Sequence, residues 1–296
     1  MNPPHAARAV HIALMATVMV WGLNLTAVKL LTSVLDVQLV ALVRMLMAAA
    51  FLAVVLSLRG SGFSWCGREL GLALAAAACM VYAQQLLFAG GLARTSATNA
   101  GLLMALGPVV SVLLECAVFR KRLVLRQIAG VTLAGTGVAA VVLARPDARW
   151  TSAALGDLLI FVSLLTFACG GLLVQRLART RSSLSISTFL HLAGAGMLLV
   201  HTVAVFQAPM TALAALGLWP WVLIAFSGVV ATALGGIAWA RGISSIGVGH
   251  TATYLAWIPV FGAAFGVLLL DETFTRWHLA GIAAVLVGTT LALRSR

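Results

Sequence analysis

The chain has 296 residues, 62% of them hydrophobic and 9% charged, against roughly 45–50% and about 25% in soluble domains. With 19 Lys and Arg, 7 Asp and Glu and a mean hydropathy of +1.09, its polar side chains are too few to cover a globule in water. A soluble fold is excluded and most of the surface must face lipid.

A helix needs about 20 apolar residues to cross a hydrocarbon core of about 30 Å. In chain order, spans are expected at 11–32, 37–58, 69–91, 97–119, 125–144, 155–177, 184–205, 219–241, 248–270 and 276–293. The first follows a weakly basic tail (Arg8) as a signal peptide would, but it is long and nine more spans follow, so it is expected to stay as the first helix. All connections are short, which leaves any function to be built among the helices. Period-two alternation is absent, which excludes an outer-membrane barrel. Cys66, Cys79, Cys116 and Cys169 form no C-x-x-C pair, so neither a disulfide framework nor a metal site is expected.

The net charge of +12 invites a nucleic-acid reading, which its distribution opposes. With ten spans, thirteen cations share the side of the N-terminus: Arg8, Arg59, Arg68, Arg120, Lys121, Arg122, Arg126, Arg176, Arg179, Arg181, Arg241, Arg294 and Arg296. Five lie opposite: Lys29, Arg94, Arg145, Arg149 and Arg276. The positive-inside rule then predicts both termini in the cytoplasm, with the Arg120–Arg126 cluster lying on anionic headgroups rather than on nucleic acid.

The loop around Pro146 divides the chain into two five-span halves, 1–148 and 149–296, and an odd number of spans turns the second half upside down. A shift of 151 places Ala89 on Ala240, Gly91 on Gly242, Ala105 on Ala256, Pro108 on Pro259, Gly130 on Gly281 and Gly137 on Gly288. Pro108 and Pro259 are the only prolines deep in a span. A shift of 147 in the earlier helices sets Lys29 on Arg176 and Arg44 on His191. Inverted halves are a transporter architecture, because exchanging their conformations moves the opening of a central cavity from one side to the other. Mid-span prolines free a carbonyl one turn back and are expected as kinks beside that cavity.

These residues resemble a known family. The Trp21–Gly22 pair followed by Lys29, Arg44 early in the second span, prolines in spans 4 and 9, and Gly-bearing spans 5 and 10 are similar to the drug/metabolite transporter superfamily, EamA type. So is the run after Pro259 through Asp271, Glu272 and Thr273 to Trp277, Gly281 and Gly288. The resemblance implies an all-α fold of ten transmembrane helices in two inverted five-helix repeats, and export of amino acids or other small metabolites across the bacterial inner membrane. The first half departs from the pattern at Lys121, where the repeat of Glu272 predicts an acid.

Polar residues within spans are expensive and are functional candidates by default. Trp21, Asn24, Arg44, Tyr82, Gln85, Asn99, His250, Tyr254 and Trp257 are the candidates for a substrate cavity. Trp21 and Trp257 are not explained by an interfacial belt, whereas Trp239 is placed near a span end. Lys29 is expected to snorkel to headgroups rather than hold substrate. For ion coupling the candidates are Glu115, the sole carboxylate within a span, and the histidines His191 and His250. The Gly and Ala residues of spans 5 and 10 are expected to pack within one chain, with a dimer contact as the alternative.

Other classes are poorly supplied. The chain has no H-E-x-x-H, G-x-S-x-G or G-x-x-x-x-G-K-[ST] pattern and no paired intramembrane acids, so an enzyme is not expected, nor any cofactor. No loop is long enough for a scaffold's docking segment. The expected partners are a small-molecule substrate and the bilayer, with the protein a monomer or a homodimer. The sequence leads to a secondary transporter working by alternating access, most directly an amino-acid exporter and alternatively a carrier of drugs or other metabolites, uptake included.

Overall fold

The computed structural model describes residues 3–59, 64–120, 124–143, 152–205 and 209–293. Among them the chain is helical, with no strand. The helices are α1 (Pro3–Leu31), α2 (Val37–Leu58), α3 (Gly67–Ala77, continued through Ala78–Ala83 and Gln84–Leu92), α4 (Ala97–Met104 and Gly107–Phe119), α5 (Leu125–Leu143), α6 (Ser152–Leu177) and α7 (Ser183–Val205). A short helix, Pro209–Ala214, precedes the next span. Apolar helix then runs from Leu218 to Leu270, 53 residues, roughly 80 Å and far too long for one crossing. It breaks at Gly247, whose φ of 82° and ψ of 162° suit glycine and reverse the chain. The stretch before the break is α8 and the stretch after it α9. The last helix, α10, is Arg276–Leu293.

The two halves repeat their backbone irregularities. Both α3 and α8 carry a π-helical stretch, Ala78–Ala83 and Phe226–Leu234. Both α4 and α9 are interrupted before their proline. In α4 the break falls between Met104 and Gly107, and in α9 the 3-10 turn Thr253–Trp257 precedes Ile258–Leu270. Pro108 and Pro259 stand in the first turn of the second piece, where a missing N–H costs no hydrogen bond. The second pieces end on left-handed caps at Arg120 (φ 51°) and Asp271 (φ 52°), positions related by the same shift of 151 found in the sequence.

Packing follows the repeat. Helices α2 and α7, α4 and α9, and α5 and α10 meet as symmetry-related pairs, while α1 packs on α8 and α9, and α6 on α3 and α4. Pair α5–α10 depends on small residues. A Cβ on Gly137 would collide with that of Ala284, and one on Gly288 would lie 2.6 Å from the Gly130 oxygen and 2.8 Å from the Ala134 nitrogen. Nothing lies within 4 Å of a Cβ on Gly135. Gly288→Ala must therefore push the α5 and α10 backbones apart and should cost about 1–3 kcal/mol, whereas Gly135→Ala should leave stability unchanged or slightly raised. Thermal unfolding of the two variants in detergent checks this, and equal melting temperatures would contradict the packing.

Candidate functional site

A cavity of about 110 Å³ lies between α1, α2, α3, α6, α7 and α8, with Met104 of α4 and Ile258 of α9 contributing beside the two helix breaks. The matched prolines do not line it themselves. Of the nine cavity residues expected from the sequence, the structure brings four together: Trp21, Asn24, Arg44 and Gln85.

Arg44 is 1% exposed and is among the largest fully buried side chains. Its Nε donates to Ser227 Oγ at 2.5 Å and its Nη1 to Gln85 Oε1 at 3.1 Å. The Ser227 hydroxyl donates in turn to Asn24 Oδ1, and Gln85 Nε2 donates to Gln84 Oε1 at 2.7 Å. This chain of neutral partners runs from α1 through α8 and α2 to α3, and it fixes the guanidinium in the cavity wall. Among the described residues no carboxylate pairs with Arg44.

His191 faces the same cavity from α7, at the position that the 147-residue shift relates to Arg44. Its Nδ1 lies 2.7 Å from the Ser187 carbonyl oxygen. A carbonyl can only accept, so Nδ1 carries the proton and Nε2 holds a lone pair.

The apolar wall is aromatic. The Trp21 and Trp239 rings lie 4.9 Å apart, and Phe167 lies 5.9 Å from Trp21 and 5.7 Å from Trp239. Trp21 Nε1 donates to the Ala231 oxygen at 2.8 Å, within the π-helical stretch of α8. Trp239 corrects the sequence expectation. It is 4% exposed and lines the cavity, because α8 continues past the expected end at 241 and buries the tryptophan deeper.

The remaining candidates lie elsewhere. Tyr82 pairs with His201 Nδ1 at 2.9 Å, and Asn99 Oδ1 accepts from His278 Nε2 at 3.0 Å. Tyr254 pairs with His11 near the face that carries the N-terminus, and His250 is exposed. Trp257 is 43% exposed and stands in a shallow outer groove with Leu286 and Val287, so it belongs to the surface rather than the cavity. The side chain of Glu115 lies outside the described residues, as do Lys121, Arg122, Arg145, Arg149, Arg294 and Arg296.

The two faces differ. Toward the N-terminal face the cavity lining reaches Val174, three residues from the end of α6, and Ser187, four from the start of α7. At the opposite face polar side chains tie helix ends together. The Glu272 carboxylate accepts from the Ala97 N–H (2.7 Å), the Thr98 N–H (2.8 Å) and the Thr98 hydroxyl (2.6 Å), which caps α4 from the loop after α9. Thr95 donates to Asp157 at 2.6 Å. Lys29, expected at the headgroups, instead donates to the Leu92 and Thr95 carbonyls at 2.9 and 2.5 Å and caps the end of α3.

A ten-helix inverted repeat around a central cavity is the architecture of a multi-pass membrane carrier. The sequence pattern of the EamA-like transporter family matches residues 8–143 and again 154–294, and the chain belongs to that family. A relative from Bacillus subtilis, the uncharacterized transporter YyaM, is 30% identical over 59% of this chain and 57% of its own length. The chain thus spans just over half of that relative. A second from the same organism, the uncharacterized transporter YetK, is 24% identical over 94% of this chain and 84% of its own. A probable terminal-alkyne amino-acid exporter from Streptantibioticus cattleyicolor is 27% identical over 95% and 92%. A solved crystal structure shares the fold with a TM-score of 0.71 over 96% of both chains at 16% identity.

Proposed function

We propose that this transporter exports a small amphipathic metabolite, an amino acid or a close relative, across the inner membrane by alternating access, with both termini in the cytoplasm. The observation that carries the reading is the buried Arg44 guanidinium, held by neutral groups in the wall of a cavity whose other wall is aromatic. A carboxylate is the natural partner for such a fork, and Trp21, Trp239 and Phe167 suit an apolar side chain. The described cavity lining contains no acid, which favours an anion or zwitterion over a cationic drug. The excess of cations on the N-terminal side supports the orientation, and the similarity to an amino-acid exporter supports the direction and the substrate class.

The test is efflux from proteoliposomes preloaded with a pool of labelled amino acids. The wild-type protein should release at least one of them faster than empty liposomes do. Trp239→Ala should lower that rate by about tenfold, the equivalent of roughly 1.4 kcal/mol of lost contact, while Trp257→Ala stays within about twofold of wild type. No efflux of any amino acid from a folded preparation, or equal losses from both variants, would overturn the reading.

A further inference from the structure

The carboxylate of an amino acid has a site at Arg44, and the fate of its ammonium group decides whether the cavity selects amino acids or any small carboxylate. Resting on the function proposed above, we infer that Arg44 and His191 form a two-ended clamp for a zwitterion, in which Arg44 holds the carboxylate and His191 Nε2 accepts a hydrogen bond from the ammonium.

Five observations carry this. The two residues stand at repeat-related positions on α2 and α7, helices that pack against each other, and both line one cavity. Arg44 uses two of the five N–H donors of a guanidinium, leaving three for an incoming carboxylate. The Ser187 carbonyl takes the Nδ1 proton of His191, so Nε2 is an acceptor and cannot bind a carboxylate while the ring is neutral. The Cε1 edge of the ring, next to Nε2, faces Gly236. A Cβ there would lie 3.2 Å from His191 Cε1 and 3.9 Å from Nε2, so the missing side chain leaves room beside the lone pair. The other acceptors of the wall are weaker: the Ser187 and Thr232 hydroxyls, and the amide oxygens Asn24 Oδ1, Gln84 Oε1 and Gln85 Oε1, which already accept from Ser227, Gln85 and Arg44. In a cavity whose described lining lacks a carboxylate, the imidazole is the strongest acceptor left for an ammonium.

The clamp is tested by binding to the purified full-length protein, measured by titration calorimetry with three probes: L-phenylalanine, 3-phenylpropanoate, which lacks the ammonium, and 2-phenylethylamine, which lacks the carboxylate. Wild type should favour L-phenylalanine over 3-phenylpropanoate by about tenfold or more, the ratio expected of one charge-assisted hydrogen bond. His191→Leu should erase that preference while still binding 3-phenylpropanoate. His191→Gln, whose amide oxygen reaches the place of Nε2, should restore most of it. Gly236→Ala, which crowds the same edge and leaves His191 in place, should reduce it. A folded His191→Leu protein that keeps the full preference would overturn the clamp and leave amino-acid transport standing. Failure of wild type to bind L-phenylalanine or any other amino acid would overturn both.

Discussion

Replacing Arg44 with methionine is expected to abolish transport and to raise the stability of the protein. The side chain is 1% exposed and its partners, Ser227 and Gln85, are neutral. An arginine at a helix centre costs about 2.5–3.5 kcal/mol on insertion scales, and two interhelical hydrogen bonds to neutral groups, worth about 0.6 kcal/mol each within a membrane, return only a fraction of this. Both partners keep an alternative bond, Ser227 to Asn24 and Gln85 to Gln84, so removing the guanidinium leaves few orphaned groups. Arg44→Met should therefore melt about 3–8 °C higher, the equivalent of roughly 1–3 kcal/mol in a chain of this size, while efflux falls about a hundredfold. A residue kept at a cost in stability is the signature of a working site. A lower melting temperature with partly retained transport would make Arg44 a structural tie instead. Arg44→Lys keeps the charge but loses the fork, and should sit between the two in transport.

The second large effect is expected at Glu272. Its carboxylate accepts three hydrogen bonds at the start of α4, where the helix dipole also favours negative charge. Glu272→Ala strips these donors of their partner and should cost about 2–4 kcal/mol, lowering the apparent melting temperature by roughly 5–10 °C. The same bonds join the loop after α9 to the first turn of α4, so their loss should loosen the face opposite the N-terminus. A cysteine at Met104, placed in a cysteine-free background, should then react several-fold faster with an impermeant thiol reagent supplied from that face. An unchanged melting temperature together with an unchanged labelling rate would show that the cap holds nothing closed.

The helices were legible because each needs one long apolar run, and the expected spans match the observed ones closely. The cavity was less legible, because facing depends on helix phase. Tyr82 and Gln85 are three residues apart and would share a face of a regular helix, yet Tyr82 reaches His201 and Gln85 reaches Arg44. The π-helical stretch Ala78–Ala83 contains Tyr82 and ends before Gln85, and it alters the phase between them. In α9 the 3-10 turn Thr253–Trp257 does the same for Tyr254 and Trp257. Neither irregularity has a proline or a charge within it to announce it. Arg44, Asn24 and Trp21 were visible because a polar or amphipathic group in mid-span has few other reasons to be there. Trp239 was missed through an error of one turn in the end of α8. The role of Glu272 could not be read at all, since its partners are two backbone N–H groups and a threonine hydroxyl at the start of a helix about 175 residues earlier in the chain.

The duplicated π-helical stretches, broken helices and left-handed caps at Arg120 and Asp271 make the two halves near-equivalent as backbones, but their side chains are not interchangeable. Lys121 occupies the repeat position of Glu272, and His250 that of Asn99. In an alternating-access cycle each half takes the other's conformation in turn, so equal side chains would leave the two end states equally populated. A cap worth about 2 kcal/mol that forms in one state and not in the other would hold them near 30 to 1. The inverted symmetry supplies two states, and the residues that break it decide in which of them the empty carrier waits.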